Sequence, residues 1–390
     1  MSAACWSRLE SGAGDTDDSG VAPSPERIRE LAAEAGFDLV RFGPVDLGGH
    51  ADHYLAWLAA GRAGAMEYMV RHRDKIVDPR TIAPAARSTV SLAFDYGGPP
   101  VRLQGGGRVA RYAAGRDYHR FLGNKTRWLR KELERDGVPW GSVRVGTDAI
   151  PLLERALAVR AGIGFLAKSA GVIHPRLGPF LLLSELLTPL DLPHDPPSAG
   201  SCGTCTACLD ACPTGAIVAP FEVDARRCLS YTTIELRGPI PTELRAPQGE
   251  WLFGCDVCLE VCPFAHRGRA AGGPRPADLA WNRGVREYGL VGILEIGEEE
   301  FERDWSGTAL HRATRSGLRR NAAVVLGNLR DPSAAPALER ALGDPDPSVR
   351  GHGAWALGRI GGSRTALEIA LRNEPEAWVR GELEAALATG

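Results

Sequence analysis

The chain has 390 residues, of which 44% are hydrophobic and 24% charged, with a formal net charge of -2. This is ordinary composition for a soluble globular protein with room for two or three domains. No apolar run approaches the length of a membrane span, and the near-zero charge is by itself no evidence for a nucleic-acid partner.

In chain order, residues 1–22 are rich in Ser, Gly, Ala and Asp, lack a signal-peptide core, and are expected to form a disordered lead-in. A helix over 25–35 follows, with Ser24 as cap, Pro25 at the first helical position and Gly36 as terminator. A strand over 37–42, a helix over 52–62 and a buried strand over 88–96 come next. A long basic amphipathic helix covers 117–135, then a strand 143–147, a helix 151–161 and a strand 180–187. This alternation predicts a mixed α/β domain spanning 23–198. Proline density rises over 189–197, marking a linker. A Gly/Pro/Arg stretch at 266–276 separates the cysteine-rich part, 199–270, from the rest.

From 275 to 390 the chain repeats itself. Asn321-Ala-Ala-Val-Val-Leu-Gly327 is echoed by His352-Gly-Ala-Trp-Ala-Leu-Gly358. Asp331-Pro332 and Asp346-Pro347 each precede a helix. Short helices at this period resemble HEAT repeats and offer an elongated binding surface; the plainer alternative is a helical cap. The class is α+β with a helical C-terminal part.

Eight of nine cysteines fall into two groups. Cys202, Cys205, Cys208 and Cys212-Pro213 follow the spacing of bacterial two-cluster ferredoxins, in which the fourth cysteine serves the other cluster. Cys228 stands alone before Cys255, Cys258 and Cys262-Pro263. The expected ligand sets are therefore Cys202, Cys205, Cys208 and Cys262 for one [4Fe–4S] cube, and Cys212, Cys228, Cys255 and Cys258 for the other. Zinc favours paired cysteines, and disulfides suit small secreted domains, so both fit this pattern less well. Reduced cysteines without an export signal point to the cytoplasm.

Charge is uneven. Residues 101–176 carry 15 Lys+Arg against 6 Asp+Glu. That surplus suits a phosphate backbone, or else reflects solvated helix faces.

Several motifs recur in a recognisable order: Tyr68-Met69, Asp78-Pro79-Arg80, Arg111-Tyr112-Ala113, Gly115-Arg116-Asp117-Tyr118-His119, Asp148-Ala-Ile-Pro151-Leu-Leu-Glu154-Arg155, Lys168, Arg227-Cys228-Leu-Ser230-Tyr231-Thr-Thr233, Gly254-Cys255-Asp256, Gly307-Thr308-Ala309-Leu310 and Arg320-Asn321-Ala322-Ala323. From about Pro25 to the C-terminus this resembles the epoxyqueuosine reductases. The resemblance implies a cobalamin-dependent oxidoreductase, fed by two [4Fe–4S] clusters, that acts on tRNA carrying epoxyqueuosine at the wobble position. It implies a monomer, with the electron donor unspecified. By the same resemblance Asp148 is the proton donor to the departing oxygen, and its pKa is expected to be raised by burial. From local sequence alone, Asp148 is equally an N-cap for the helix that follows.

Other residues keep two readings. Arg111, Tyr112, Lys168, Ser230, Thr233, Gly254 and Asp256 are candidates for the cobalamin wall, or for local packing and capping. Tyr118 and His119 are candidates for substrate contact, or ordinary helix-start residues. Arg315, Arg319, Arg320 and Arg350 are candidate phosphate contacts. The chain departs from the family at Ala167-Lys168-Ser169-Ala170 and at Cys262-Pro263-Phe264-Ala265. It lacks Asp-x-His-x-x-Gly, so no protein histidine is expected on cobalt. Competing functions are a reductive dehalogenase acting on a small molecule, and an electron carrier or scaffold without cobalamin.

Overall fold

The computed structural model describes residues 22–280 and 287–389, so most of the expected disordered lead-in lies outside the described residues. The first helix, α1 (Pro25–Glu34), begins as its sequence dictates, with the Ser24 hydroxyl accepting the Arg27 N–H at 3.2 Å. It buries Ile28, Leu31 and Ala32. After it come β1 (Leu39–Pro44), α2 (His50–Ala59), β2 (Ser88–Asp95), α3 (Tyr118–Arg135), β3 (Arg144–Gly146), α4 (Glu154–Arg160) and β4 (Leu181–Thr188).

The four strands form one antiparallel sheet in the order β1-β2-β4-β3. Register pairs Leu39 with Ala93, Leu92 with Ser184, and Gly146 with Glu185. β2 is central, and all eight of its residues are buried. The helix expected from 151 starts only at Glu154, with Leu153 at the N-cap and no side-chain cap. The segment between β3 and α4 is therefore a loop, and Asp148 sits in it with φ of 52°. The N-cap reading of Asp148 is thereby removed. A non-glycine residue in the left-handed region is uncommon, and such strain concentrates at working sites.

Under α4 lies an unusual core residue. Glu185 is fully buried, and its Oε2 accepts the Thr89 and Ser91 hydroxyls at 2.9 and 2.6 Å. Its Oε1 has no hydrogen-bond partner. Burial pushes its pKa well above the ordinary glutamate value, so the folded chain holds this proton more tightly than the unfolded chain. The contribution to stability is full below the ordinary glutamate pKa. It is lost as pH rises toward the folded value, at about 1.4 kcal/mol per pH unit. Glu185→Gln should therefore gain steadily on the wild type over the pH range above the ordinary glutamate value in denaturant titrations. A constant difference across that range would show that the carboxyl is not neutral in the fold.

The proline-rich linker is pinned rather than loose. Asp195 accepts the Phe42 N–H at 2.8 Å and pairs with Arg29 at 3.0 Å. The 266–276 stretch is likewise docked, with Arg269 bridging Asp38 and the Asp95 carbonyl.

The C-terminal part stacks helices α6 (Thr314–Leu329), α7 (Ala335–Ala341), α8 (Pro347–Ile360), α9 (Arg364–Asn373) and α10 (Ala377–Thr389), in which α6 packs on α8 and α8 on α10. The echoed sequence has a steric cause. A Cβ on Gly327 would sit 2.9 Å from the Ala356 Cα, and one on Gly358 would sit 2.8 Å from the Ala386 Cα. Each repeat thus places glycine where the next helix crosses. The solenoid core continues into the rest of the chain through Val101, Val109, Leu252 and Phe253. Among the described residues no helix is long and apolar enough to cross a membrane.

Candidate active site and cysteine centres

The Asp117 carboxylate caps α3 by accepting the His119 N–H at 3.0 Å. This fixes Tyr118 and His119 on the first turn, facing the loop after β3. Tyr118 donates its hydroxyl in a short hydrogen bond to Asp148 Oδ2. His119 Nε2 lies 3.5 Å from the same oxygen, and its Nδ1 is 2.6 Å from Asp117 Oδ1. Asp148 Oδ1 has no partner among the described residues. The Asp148 N–H is held by Glu154 Oε1 at 2.5 Å. Although protein crowds around it, the Asp148 side chain is 63% exposed, as befits a group on the wall of an open cleft.

Electrostatics here differ from the sequence expectation. Burial does oppose the charge on Asp148, but the bonds from His119 and Tyr118 outweigh it and hold its pKa below the ordinary value. Burial also lowers His119, and its bonds to Asp117 and Asp148 more than reverse that, leaving it at about 9. Burial, then the Asp148 charge, pushes Glu154 up to about 8. At neutral pH the carboxylate of Asp148 is ionised, and the protons reside on its neighbours. The expected raised pKa of Asp148 is corrected accordingly.

Behind Tyr118 stands Tyr112, edge-on at 5.6 Å. A Cβ on Gly254, whose φ is 66°, would lie 2.6 Å from the Ala110 Cβ and 3.8 Å from the Tyr112 ring. Only glycine fits there, and the next residue is Cys255. The second cysteine group is thus two aromatic rings from Asp148.

Within each expected set the cysteines act on one another. The charge neighbours of Cys208 are Cys202, Cys205 and Cys262, whereas those of Cys258 are Cys255, Cys228 and Cys212. A void of about 250 Å³ is lined by Cys202, Cys205, Cys208, Cys258 and Cys262. Of these five thiols, Cys202, Cys205, Cys208 and Cys262 make the four that a cube needs, and the wall offers no His, Asp or Glu side chain. Among the described residues no three His, Cys, Asp or Glu converge on a single-ion site.

Several sequence candidates support these centres rather than line the cleft. Ser230 hydrogen-bonds to Cys228. Thr233 accepts the Gly254 N–H at 2.9 Å, and Asp256 accepts the Arg111 N–H at 2.8 Å. The Arg111 guanidinium is spent inside the protein, donating to the Gly98 carbonyl and to Glu260 and lying 4.3 Å over Phe180. Lys168 donates its backbone N–H to Cys202 Sγ and its Nζ to the Gly203 and Cys205 carbonyls. It clamps the first cysteine loop.

The solenoid arginines need correction as phosphate contacts. Arg320 is 1% exposed and donates to the Thr232, Leu236 and Gly238 carbonyls and to Asn321. Arg315 pairs with Glu298, Arg319 with Asp344, and Arg350 with Glu374. Their charges are neutralised within the fold. Exposed cations on and before α3 include Arg116, Arg120, Arg127 and Lys131, and the exposed Arg155 acts on Asp148. Sequence reasoning also passed over Glu154, Glu235 and Arg312 as site residues, although Glu154 stands in the quoted motif. Arg312 pairs with Glu235 at 2.9 Å and lies 5.9 Å over Tyr68, and the Asp148 charge acts on both Tyr68 and Arg312.

Comparison with known proteins gives the context for this arrangement. An epoxyqueuosine reductase from Pseudomonas aeruginosa is 38% identical over 353 residues, covering 87% of this chain and 96% of the relative. The chain belongs to the epoxyqueuosine reductase family. The Escherichia coli epoxyqueuosine reductase is 35% identical over 339 residues, covering 85% of this chain and 88% of its own length. Family models agree by segment. Residues 77–149 match "Epoxyqueuosine reductase QueG, DUF1730", residues 201–265 a 4Fe-4S double cluster binding domain, and residues 307–388 HEAT repeats. A crystal structure of epoxyqueuosine reductase with an epoxyqueuosine-modified tRNA-Tyr stem loop superposes with a TM-score of 0.82 at 31% identity, covering 93% of this chain and 98% of the other. A Bacillus subtilis epoxyqueuosine reductase, described with its catalytic aspartate loop swung out of the active site, gives the same TM-score and identity.

Proposed function

We propose that this chain reduces the epoxide of epoxyqueuosine in tRNA to the alkene of queuosine, with net consumption of two electrons and two protons and loss of water. The observation that carries the reading is Asp148. It is set at φ 52° in an open cleft, held on one oxygen by Tyr118 and His119, and separated from the second cysteine group by Tyr112 and Tyr118. Cobalamin, which Tyr112, Tyr118 and the small Gly254 beside Asp148 would hold, would supply low-potential reducing chemistry there, with the cysteine-bound clusters as its source of single electrons.

The chain's own residues handle the protons. Asp148 presents its free Oδ1 to the substrate oxygen. His119, cationic at neutral pH, hands Asp148 the proton that Asp148 then passes to the departing oxygen, and Asp117 holds the imidazole in line through Nδ1. The 3.5 Å separation of Nε2 and Oδ2 shortens as the site closes, as catalytic hydrogen bonds do when substrate binds. Tyr118 steadies the same carboxylate. Glu154, protonated near neutral pH, keeps the Asp148 backbone in place without adding charge.

The first cube takes Cys202, Cys205, Cys208 and Cys262, and the second takes Cys212, Cys228, Cys255 and Cys258. The crossed ligand is the sharp part of this assignment. Cys262→Ser, although it lies beside Cys258 in sequence, should disturb the cluster bound by the Cys202 run and leave the second intact. Electron paramagnetic resonance on the reduced chain reads this directly; loss of the inner cluster instead would reverse the assignment.

tRNA phosphates engage exposed cations on and just before α3, among them Arg116, Arg120 and Arg127, and the wobble base enters the cleft as an unstacked loop nucleotide. The reaction takes place in the cytoplasm, where tRNA is available and thiolate clusters stay reduced. Anaerobic incubation of the reconstituted chain with cobalamin, a low-potential reductant and epoxyqueuosine-containing tRNA, read by nucleoside mass spectrometry, tests the function. Queuosine is the expected product, and unchanged epoxyqueuosine would refute the reading.

A further inference from the structure

We propose that the surface over the first cysteine quartet is the docking face for a small acidic one-electron carrier protein; this rests on the cluster assignment given above. The two quartets differ in depth. All eight cysteines are partly exposed, but more of the protein surrounds Cys228 and Cys258 than Cys208 and Cys262. The deep quartet is the one joined to Asp148 through Tyr112 and Tyr118. The void of the shallow quartet also touches Cys258 of the deep one. Electrons therefore enter at the shallow quartet and leave by the deep one.

The protein surface at that entry is basic and partly apolar. Beneath it the buried Phe165 and Ile173 pack against Cys202 and Cys262, and the half-buried Phe264 meets Phe165 edge-on at 5.5 Å. Beside this wall opens a cleft of about 480 Å³ whose lining includes Arg41, Arg176, His174, Pro175 and Pro196. Arg267 lies 4.6 Å over Phe264 and donates to the Pro175 carbonyl, which joins the cleft to the cysteine wall. Arg41 donates only to its neighbouring Val40 carbonyl, and neither Arg41 nor Arg176 has an acidic partner among the described residues.

Of the acids nearby, Asp195 on the cleft rim is held by Arg29 at 3.0 Å, and Asp210, which accepts the Thr206 hydroxyl at 2.7 Å and keeps its charge, does not line this cleft. His174 is neutral at physiological pH, since burial and then Arg176 and Arg41 pull its pKa down to about 4. Next to Cys262, Val261 is 38% exposed. A basic rim around an apolar patch over a redox centre complements a carrier with an acidic rim around its own cofactor. Such steering speeds encounter and weakens with salt. In each encounter the carrier loses one electron and the shallow cluster gains one, so two encounters supply the two electrons of one turnover.

Arg41 and Arg176 touch neither a cysteine nor Asp148, which makes them clean probes. The cluster-reconstituted full chain and its Arg41→Glu/Arg176→Glu variant would be mixed anaerobically with flavodoxin hydroquinone in stopped flow, following bleaching of the cluster absorbance. Dithionite, a small reductant, serves as the parallel arm, and affinity for an epoxyqueuosine tRNA stem loop is measured on both proteins. The proposal expects roughly tenfold slower reduction by flavodoxin in the variant at low salt. It expects that gap to close at high salt, with dithionite rates and tRNA affinity unchanged. Equal flavodoxin rates would overturn it. So would weakened tRNA binding with equal flavodoxin rates, which would make this an RNA surface. If dithionite fails to bleach even the wild-type chain, the cluster assignment itself falls, and the docking face with it.

Discussion

Asp148→Asn should lower turnover by roughly 10²- to 10⁴-fold, the span that positioned acid–base groups contribute, while cobalamin binding and both clusters persist. The amide is isosteric and still accepts from Tyr118, so the loop keeps its shape, but it cannot carry a proton to the departing oxygen. The pH profile gives the mechanism a second handle. His119 holds its proton up to about 9, so the wild-type rate should fall as pH rises through that value. His119→Gln should remove this limb and slow the reaction across the whole range, because Asp148 loses its proton source. An Asp148→Asn enzyme that turns over normally would take Asp148 out of the chemistry. An alkaline limb that survives in His119→Gln would take out His119.

The second large effect is on stability. Arg320→Ala should cost about 3–5 kcal/mol, a large share of the ~5–15 kcal/mol that stabilises a typical fold. The guanidinium is buried and satisfies the Thr232, Leu236 and Gly238 carbonyls. Its neighbour Asn321 donates to the Thr233 and Leu252 carbonyls at 2.8 and 2.9 Å. These carbonyls lie on and beside α5 (Leu229–Ile234), which follows Cys228, and on β5 (Trp251–Phe253), which precedes Cys255. Truncation strands the carbonyls without partners and frees two of the segments that carry inner-cluster ligands. Iron content after reconstitution should therefore drop from about eight toward about four per chain, with the first cluster's signal retained. Full stability and full iron loading in the variant would show that the solenoid does not brace the inner cluster.

Much of this could be read before any coordinates. Cysteine spacing was legible because thiolate ligation of a cube constrains covalent neighbours, and that constraint is local. α1 and the strands were legible for the same reason: caps and burial periodicity are properties of adjacent residues. Asp148 was ambiguous because an acid between a strand and a helix serves equally as a cap. Only the loop geometry, with the helix delayed to Glu154, separates the two.

The solenoid arginines were opaque for a different reason. The partners of Arg315, Arg319 and Arg350 are Glu298, Asp344 and Glu374, each a helix or more away in sequence. A cation already neutralised by a distant carboxylate reads in sequence like one awaiting a phosphate. Lys168 shows the same limit, since its grip on the Cys202 loop depends on a fold contact across more than thirty residues. The charge state of Asp148 was misjudged because burial was weighed without the two donors that α3 brings to it.

The account stands or falls on electrons reaching the substrate through the cleft. The decisive measurement is a reductive titration: the cobalamin-loaded chain is reduced, freed of excess reductant and given epoxyqueuosine stem loop, while cluster signals and nucleosides are counted together. Two electrons should leave the protein's centres for each queuosine formed, and none should leave with a stem loop already carrying queuosine. Centres that stay reduced in the presence of epoxyqueuosine, or that discharge without forming queuosine, would contradict it.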